Sequence, residues 1–213
     1  MSAPTDGGTS FKRTHYCGDL RAAHEGVEVV LCGWVHKTRD MGHLVFVDIR
    51  DREGLAQVVF QSDSPELAEE AKKLRNEFVV GVRGRVRRRS AVNKDIPTGE
   101  VEVEALALHV FAASKVPPFV VADPPQASEE LRLKYRYLDL RRPKMQRHIR
   151  LRHEAALAVR NYMSRNGYLE IETPILANPT PEGARDFLVP SRVCKGRFYA
   201  LPQSPQQFKQ TLM

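Results

Sequence analysis

One segment of the sequence alternates arginine with small or apolar residues. The alternating positions are Arg83, Arg85, Arg87 and Arg89. Because successive side chains of a β-strand point to opposite faces, these four guanidinium groups would share one face of a strand. Such a row can follow a phosphate backbone, since arginines neutralise phosphates and release their counterions. The spacing therefore predicts a strand that binds a polyanion, with RNA as the expected partner.

A row of glutamates follows and could neutralise these arginines. Glu100, Glu102 and Glu104 alternate with apolar residues, which predicts a second strand with an acidic face. If the two strands are neighbours, ion pairs form across them. We expect part of the arginine row to pair with glutamates and the rest to be available for RNA.

An aromatic ring and an amide also fall on the outer faces of predicted strands. Val45, Val47 and Ile49 share one parity, so the intervening Phe46 points away from the core. The same parity in the next apolar segment turns Gln57 outward. A ring and an amide on neighbouring strands can stack on a base and bond to its edge. The alternative is that Phe46 packs under a loop.

The C-terminal part of the sequence carries a different set of polar groups. Residues 204–210 supply a hydroxyl, amides and a lysine beside the apolar Phe208, an arrangement able to orient a small zwitterion. The compact ammonium of Lys209 suits a carboxylate on such a ligand. Upstream, the charged loop 180–186 contains proline and glycine, as mobile functional loops do. The alternative to ligand binding is that the side chains of Lys209 and Glu182 are simply exposed to solvent.

Two kinds of architecture are expected to position these groups. The first half shows three period-2 segments, one amphipathic helical segment and two more period-2 segments, which is the order of an OB-fold barrel. The expected strands cover residues 27–35, 44–50, 55–61, 78–89 and 100–111, with a helix over residues 64–75 that is capped by Ser64.

After the predicted barrel the pattern becomes mainly helical. The proline-rich residues 116–126 predict a linker, because proline interrupts helices and central strands. Residues 128–142 begin like a capped helix, and residues 144–166 form a longer helix that ends at Gly167. A short strand is expected over residues 168–173.

Composition excludes several classes of protein. With 42% hydrophobic and 28% charged residues the sequence reads as globular, and no apolar run approaches the roughly 20 residues of a membrane span. The first residues lack the features of a secretory signal. Three cysteines without a CxxC spacing disfavour disulfides or a zinc site and fit a reducing cytoplasm. The net charge of +7 favours a polyanionic partner.

Several segments resemble bacterial-type aspartyl-tRNA synthetases, which are class II aminoacyl-tRNA synthetases. In the first half the resemblance is carried by residues 13–18, 31–35, 39–42, 46–54 and 57–58. In the second half it is carried by the helix-glycine-strand-proline pattern, similar to motif 1 of class II, and by residues 180–186 and 203–210. Neither a GxxxxGK[ST] sequence nor a class I signature is present, so a P-loop enzyme and a class I synthetase are not supported.

The resemblance implies an α+β fold in four parts. Residues 1–12 would be a disordered tail, residues 13–113 a five-stranded OB-fold barrel that binds the anticodon, and residues 114–142 a linker and hinge. Residues 143–213 would begin the antiparallel catalytic domain of class II synthetases. Motifs 2 and 3 of the family are absent from the sequence, so we expect an N-terminal portion that is catalytically incomplete.

The resemblance also implies roles for individual residues. The expected anticodon-binding residues are Arg39, Phe46, Gln57, Arg87, Arg89 and Glu102. The expected aspartate-binding residues are Glu182, Ser204, Gln206 and Lys209, with Glu182 on the α-ammonium and Lys209 on the side-chain carboxylate. No catalytic residue and no metal ligand is identified, because the parts of the family that hold ATP and Mg²⁺ are missing from the sequence.

The implied activity of the full-length protein is that of an aspartate–tRNA ligase. It would activate L-aspartate with ATP and transfer it to tRNA-Asp, with tRNA-Asn as a second acceptor left open. The resemblance implies a cytoplasmic homodimer that forms through motif 1. The alternatives are an asparaginyl- or lysyl-tRNA synthetase and, from another class, a non-catalytic OB-fold fragment that binds RNA.

Overall fold

The computed structural model describes residues 11–61, 64–179 and 183–213. The chain divides into two compact units, Met1–Gln146 and Arg147–Met213. The helix α4 (Pro143–Arg165) begins in the first unit and ends in the second.

The first unit is built around a closed five-stranded β-barrel. Its strands are β1 (Glu28–Asp40), β2 (Leu44–Arg50), β3 (Leu55–Gln61), β4 (Val79–Arg88) and β5 (Val101–Ala112). Around the barrel the order is β1-β2-β3-β5-β4, and β4 pairs with β1 to close it. The pairs are antiparallel except for β3 and β5, which are parallel. The predicted OB-fold order of strands and helix is confirmed.

Alternation along the strands fills the barrel with branched apolar side chains. In β2, Val45, Val47 and Ile49 are buried, and in β4 so are Val82 and Val86. Burial of each such side chain contributes about 1.5–3 kcal/mol to folding. The residues between them point outward, and this outer face carries the polar side chains of the candidate site.

Two tight turns set the register of β1, β2 and β3. Gly42 has a φ of +79°, and its N–H donates to the Asp40 carboxylate at 2.8 Å. In the second turn, Asp51 Oδ1 accepts from the N–H groups of Glu53 and Gly54 at 2.8 and 3.2 Å. Aspartate and glycine suit both turns because the short carboxylate bonds to the local backbone and glycine tolerates unusual φ.

Helix α1 (Pro65–Lys72) connects β3 to β4 and ends before the expected residue 75. Ala68 and Ala71 form its buried side. Ser64 occupies the predicted N-cap position, but its side chain makes no capping hydrogen bond. The ψ of Ser64 is 78°, which departs from the extended geometry in which a capping oxygen reaches the first turn.

Residues 113–128 contain neither helix nor strand, as their prolines predict. They lead into the short helices α2 (Glu129–Lys134) and α3 (Arg136–Asp139). Ser128 caps α2, because its Oγ accepts from the Leu131 N–H at 3.3 Å, which confirms the predicted capped start.

A buried carboxylate fixes the segment around α3. Asp139 is 0% exposed and accepts from Arg142 Nε at 2.7 Å and from Arg136 Nη1 at 2.5 Å. Burial alone raises the pKa of Asp139, but the hydrogen bond and charge of Arg142, together with Arg132 and Arg136, bring it below its ordinary value. Arg142 also pairs with Asp123 of the linker, so α3 is tied to the segment that precedes α2.

Helix α4 agrees with the predicted helix over residues 144–166 to within one residue at each end. It ends in a Schellman motif, in which the N–H of Gly167 (φ +83°) bonds to the Ser164 carbonyl and that of Tyr168 to the Met163 carbonyl. The structure describes all of α4 and buries none of its residues. None of the helices in the described ranges is long and apolar enough to cross a membrane.

The rest of the second unit contains a two-stranded sheet and a short helix. These are β6 (Phe187–Pro190), β7 (Phe198–Leu201) and α5 (Gln206–Thr211). The strand expected over residues 168–173 is wrong, because this segment pairs with no strand of the described residues. A β-strand needs a partner for its backbone groups. The side chains of Leu169 and Ile171 accordingly remain 86% and 53% exposed.

Candidate nucleic-acid interface

Strands β1 and β2 bring a guanidinium and an aromatic ring together on the outer face of the barrel. A bulge between Val35 and Lys37 interrupts the alternation of β1, so that Arg39 stands opposite Phe46 and points outward. Arg39 Cζ lies 5.6 Å from the centroid of the Phe46 ring, within the range of a cation–π contact. Phe46 is only half-buried, so part of its ring remains accessible.

A continuous chain of hydrogen bonds crosses this face. Arg39 Nη2 donates to both carboxylate oxygens of Asp48, at 3.1 and 3.3 Å, and to Gln57 Oε1 at 2.9 Å. Gln57 Nε2 donates to Glu102 Oε2 at 2.8 Å, and Arg87 Nε donates to Glu102 Oε1 at 2.9 Å. Each of the five strands supplies one member. We call these five side chains the polar network.

The polar network is buried at its centre and open at its ends. Gln57 and Glu102 are each 8% exposed, whereas the side chains of Arg39 and Arg87 are 37% and 35% exposed. Gln57 lies on the outer face, as its parity predicts, but the network covers its amide. Burial strengthens such charge-assisted bonds, so the central amide is held firmly in one orientation.

The arginine row is partly neutralised. Arg87 Nη1 lies 3.7 Å from Glu104 in addition to its bond with Glu102, and Arg83 lies 3.8 Å from Glu28. The expected pairing of part of the row with glutamates is therefore confirmed. By contrast, Arg85 is exposed and forms no ion pair within the described ranges.

Two buried donors at the edge of the network lack partners. Arg89 lies just beyond β4, and its Nε, like that of Arg39, is buried with no hydrogen-bond partner among the described residues. The pKa of the Arg89 guanidinium is lowered from its ordinary value, because the effect of burial exceeds the opposing effect of the nearby Glu102 and Asp48 carboxylates. A buried donor without a partner costs about 1–3 kcal/mol. These groups are suited to a ligand that presents acceptor oxygens or nitrogens.

Asp48 is a member of the polar network that the sequence alone did not single out. Its parity with Phe46 puts it on the same outer face, and that was the available signal. A carboxylate repels phosphates, so its residue type gave no reason to select it for an RNA-binding face. Its importance depends on the contact with Arg39, which only the bulge in β1 makes possible.

The expected aspartate-binding residues lie in the second unit and are only partly brought together. A cavity of about 430 Å³ is lined by Ser204 among other residues. Gln206 is half-buried in α5 and Lys209 is exposed on the same helix, and neither lines this cavity. Glu182 lies outside the described residues.

Gln203 joins the loop before β6 to the segment that contains Ser204. Its Oε1 accepts from the Ala184 N–H at 2.9 Å. The adjacent Gly183 has a φ of +78°, a left-handed conformation that favours glycine. Gln203 is the first residue of the 203–210 segment, and the sequence pattern does not predict its bond to Ala184.

Comparison with known proteins finds matches to both halves of the chain. The family model described as OB-fold nucleic acid binding domain matches residues 29–111. The family model described as tRNA synthetases class II (D, K and N) matches residues 128–213. The aspartate–tRNA(Asp/Asn) ligase of Acidobacterium capsulatum is 56% identical over 205 residues, which cover 95% of this chain and 34% of that relative. The aspartate–tRNA ligase of Lactobacillus johnsonii is 56% identical over 203 residues, which cover 95% and 33%.

The chain is similar to aspartate–tRNA ligases over 95% of its length. It spans about a third of the length of these curated relatives. Among solved structures, the asparaginyl-tRNA synthetase of Pyrococcus horikoshii complexed with asparaginyl-adenylate is similar, with a TM-score of 0.80 and 31% identity over 95% of this chain and 45% of that one. The polar network lies within the residues matched by the OB-fold family model.

Proposed function

We propose that the whole protein to which this chain belongs is an aspartate–tRNA ligase. It activates L-aspartate with ATP to form aspartyl-adenylate and transfers the aspartyl group to tRNA-Asp. The observation that carries this proposal is the polar network with Phe46 beside it, on an OB-fold barrel, in a chain that continues into a class II synthetase segment. The names and 56% identity of the bacterial relatives support aspartate as the amino acid.

The barrel, in this proposal, reads the anticodon. Phe46 offers a ring on which a base stacks, and such stacking contributes about 1–3 kcal/mol per base. Gln57 and Glu102 offer amide and carboxylate groups whose orientation the neighbouring arginines hold, which suits recognition of base edges. Arg39, Arg87 and Arg89 lie around them as donors for base acceptors or phosphates.

The second unit, in this proposal, binds aspartate. Ser204 and Gln206 hold the backbone groups of the amino acid, Lys209 recognises its side-chain carboxylate, and Glu182 engages its α-ammonium. The position of Ser204 at a cavity and the bond from Ala184 to Gln203 support this assignment. The bond from Ala184 to Gln203 brings the end of the 180–186 loop close to the 203–210 segment.

ATP is the second substrate, and its Mg²⁺ is proposed to be bound by parts of the protein that this sequence does not contain. In the described part of the chain, no three His, Cys, Asp or Glu side chains gather into a possible metal site, so no step through Mg²⁺ is assigned to these residues. A homodimer through α4 is also proposed, and the exposed apolar side chains of that helix support it. The proposed compartment is the cytoplasm.

An asparaginyl-tRNA synthetase is the second candidate, because the Pyrococcus horikoshii enzyme shares the fold at 31% identity. The higher identity to aspartate–tRNA ligases favours aspartate. ATP–pyrophosphate exchange by the full-length protein with aspartate, asparagine and lysine distinguishes the two, and lysine covers the third class of the family model. Exchange with asparagine alone would overturn the proposal.

The RNA-binding half is tested directly on this chain. Its affinity for a tRNA-Asp anticodon stem-loop is compared with that for a stem-loop whose anticodon is scrambled, at two salt concentrations. We expect tighter binding of the tRNA-Asp loop at both, because base contacts persist when salt screens the phosphates. Equal and equally salt-sensitive binding of both loops would leave only a basic surface.

A further inference from the structure

Asp48 is the counter-charge of Arg39. It stands in β2 between Lys37 of β1 and Gln57 of β3. Both carboxylate oxygens of Asp48 accept from Arg39 Nη2, and the same nitrogen donates to Gln57 Oε1. A guanidinium NH₂ group has two protons, so one serves the carboxylate and the other serves the amide. These contacts with Asp48 fix the orientation of the Arg39 guanidinium plane.

The orientation of the Gln57 amide follows from this contact. Its oxygen faces Arg39 and its nitrogen faces Glu102, at 2.9 and 2.8 Å. A reversed amide would direct N–H groups at a guanidinium and an oxygen at a carboxylate, and neither contact is a hydrogen bond. The arrangement of donors and acceptors that a base meets therefore depends on where Arg39 is held.

Asp48 is itself poorly placed to contact RNA. Its side chain is 22% exposed, and both of its oxygens already accept from Arg39. Its negative charge also repels a phosphate backbone. A residue that reduces electrostatic attraction and is nevertheless built into the binding face must contribute in another way.

We propose that Asp48 is a positioning residue that gives the barrel its specificity. It holds Arg39, and through Arg39 the Gln57 amide, in the orientation that distinguishes one base from another. This role of Asp48 rests on the proposed anticodon-reading function of the barrel. Removal of its charge should consequently have two opposite effects, since the surface becomes more attractive to any RNA and less selective among RNAs.

The test uses Asp48→Asn in the 213-residue chain and the two stem-loops described above. We expect the preference for the tRNA-Asp loop to fall by about tenfold, within the range set by loss of one good base contact. Affinity for the scrambled loop should rise, and its salt dependence should steepen by up to about one unit of slope. A loss of folded structure would instead weaken binding of both loops.

Glu28→Gln is the matched control. It makes the same change of charge at the other end of β1, where Glu28 faces Arg83 at 3.8 Å. It should raise the affinity for both loops and leave their ratio unchanged. An equal loss of preference in the two variants would assign the effect to net charge and overturn the role of Asp48.

The route through Arg39 is tested by combining substitutions. In an Arg39→Ala background, Asp48→Asn should cause no further loss of preference, because the side chain that Asp48 holds is gone. A further loss of the same size would mean that Asp48 contacts RNA itself, which contradicts the proposal. If Asp48→Asn proves poorly folded, Asp48→Glu keeps the charge and displaces the carboxylate, and it should lower the preference without raising affinity for the scrambled loop.

The two proposals fail in different ways. If the unmodified chain does not distinguish the two stem-loops, the anticodon-reading function is wrong and Asp48 has no specificity to set. If the unmodified chain distinguishes them and Asp48→Asn does so equally well, the anticodon-reading function stands and the positioning role of Asp48 is wrong.

Discussion

Phe46 illustrates how one side chain becomes a candidate base-stacking platform. Alternation in β2 sends Val45 and Val47 into the core and leaves the ring outside. The Arg39 guanidinium then covers part of the ring at 5.6 Å and leaves the rest accessible. An aromatic ring that is held in place but not fully covered can receive a base without a large loss of side-chain entropy.

Phe46→Ala should weaken binding of the tRNA-Asp anticodon stem-loop by about 1–3 kcal/mol, the usual effect of a lost base stack. Fluorescence anisotropy with a labelled stem-loop measures this change. Phe111→Ala is the matched control, since Phe111 is 48% exposed on β5 but packs edge-on against Phe11 and His109. Unchanged affinity of the Phe46 variant would assign the ring to packing alone.

At the scale of elements, strand alternation predicted much of the face but could not predict how it is assembled. The outward positions of Phe46 and Gln57 follow from periodicity, because the apolar residues on either side are unambiguous. Arg39 shares the parity of the buried Val35, so uninterrupted alternation would place it inside the barrel. The bulge in β1 reverses this, and nothing in the local sequence identifies the bulged residue.

Contacts between distant segments account for the rest of the difference. The bond from Gln57 to Glu102 depends on the parallel pairing of β3 with β5, which arises only when the barrel closes. The predicted strand over residues 168–173 is wrong for the same reason, because a strand needs a pairing partner that the local sequence does not contain. The helix α4, whose stop signal at Gly167 is local, was predicted almost to the residue.

A second buried polar cluster joins the barrel to the segment after α3. Glu77 accepts from Arg50 Nη2 at 2.8 and 2.9 Å and from Arg141 Nη1 at 3.3 Å. Arg141 in turn lies over the ring of Trp34 at 4.9 Å. Burial and the Arg50 charge lower the pKa of His36, so its neutral ring can accept from Arg50 Nη1. Glu77 thus neutralises two arginines that come from different parts of the first unit.

Glu77→Ala should destabilise the chain by about 3–5 kcal/mol, because it leaves the buried Arg50 without its counter-charge. Urea unfolding followed by Trp34 fluorescence measures the free energy of unfolding and also reports on the Arg141 contact. Glu69→Ala is the control, since Glu69 forms an exposed pair with Lys72 and its loss should cost less than about 1 kcal/mol. Equal effects in the two variants would show that the Glu77 cluster contributes no more than a surface pair.

The backbone at Glu77 adds a second comparison. Its φ is +66°, a left-handed conformation that costs a residue with a Cβ about 1–2 kcal/mol. Glu77→Gly loses the same ion pairs but relieves this strain, so it should destabilise the chain less than Glu77→Ala. The opposite order would mean that the flexibility of glycine in the unfolded chain outweighs the relief.

At the scale of the whole molecule, the two candidate sites lie in separate compact units with different physical character. The first unit has a closed barrel with a buried apolar core and a polar network on its surface. The second unit contains most of α4, which buries none of its side chains. In its two-stranded sheet, Ala200 of β7 is fully buried. Because the residues proposed to bind RNA and those proposed to bind aspartate lie on different units, substitutions should separate the two functions.

Lys209→Ala and Phe46→Ala in the full-length protein provide that separation. Lys209→Ala should abolish aspartate-dependent ATP–pyrophosphate exchange, because the side-chain carboxylate of aspartate loses its counter-charge, and should leave tRNA-Asp binding unchanged. Phe46→Ala should weaken tRNA-Asp binding and leave the exchange reaction at its original rate. Lys195→Ala, which removes an exposed lysine of the same unit, is the control for loss of charge alone. Normal exchange by the Lys209 variant would remove that residue from the amino-acid site, whereas loss of exchange in the Phe46 variant would show that the two units do not act separately.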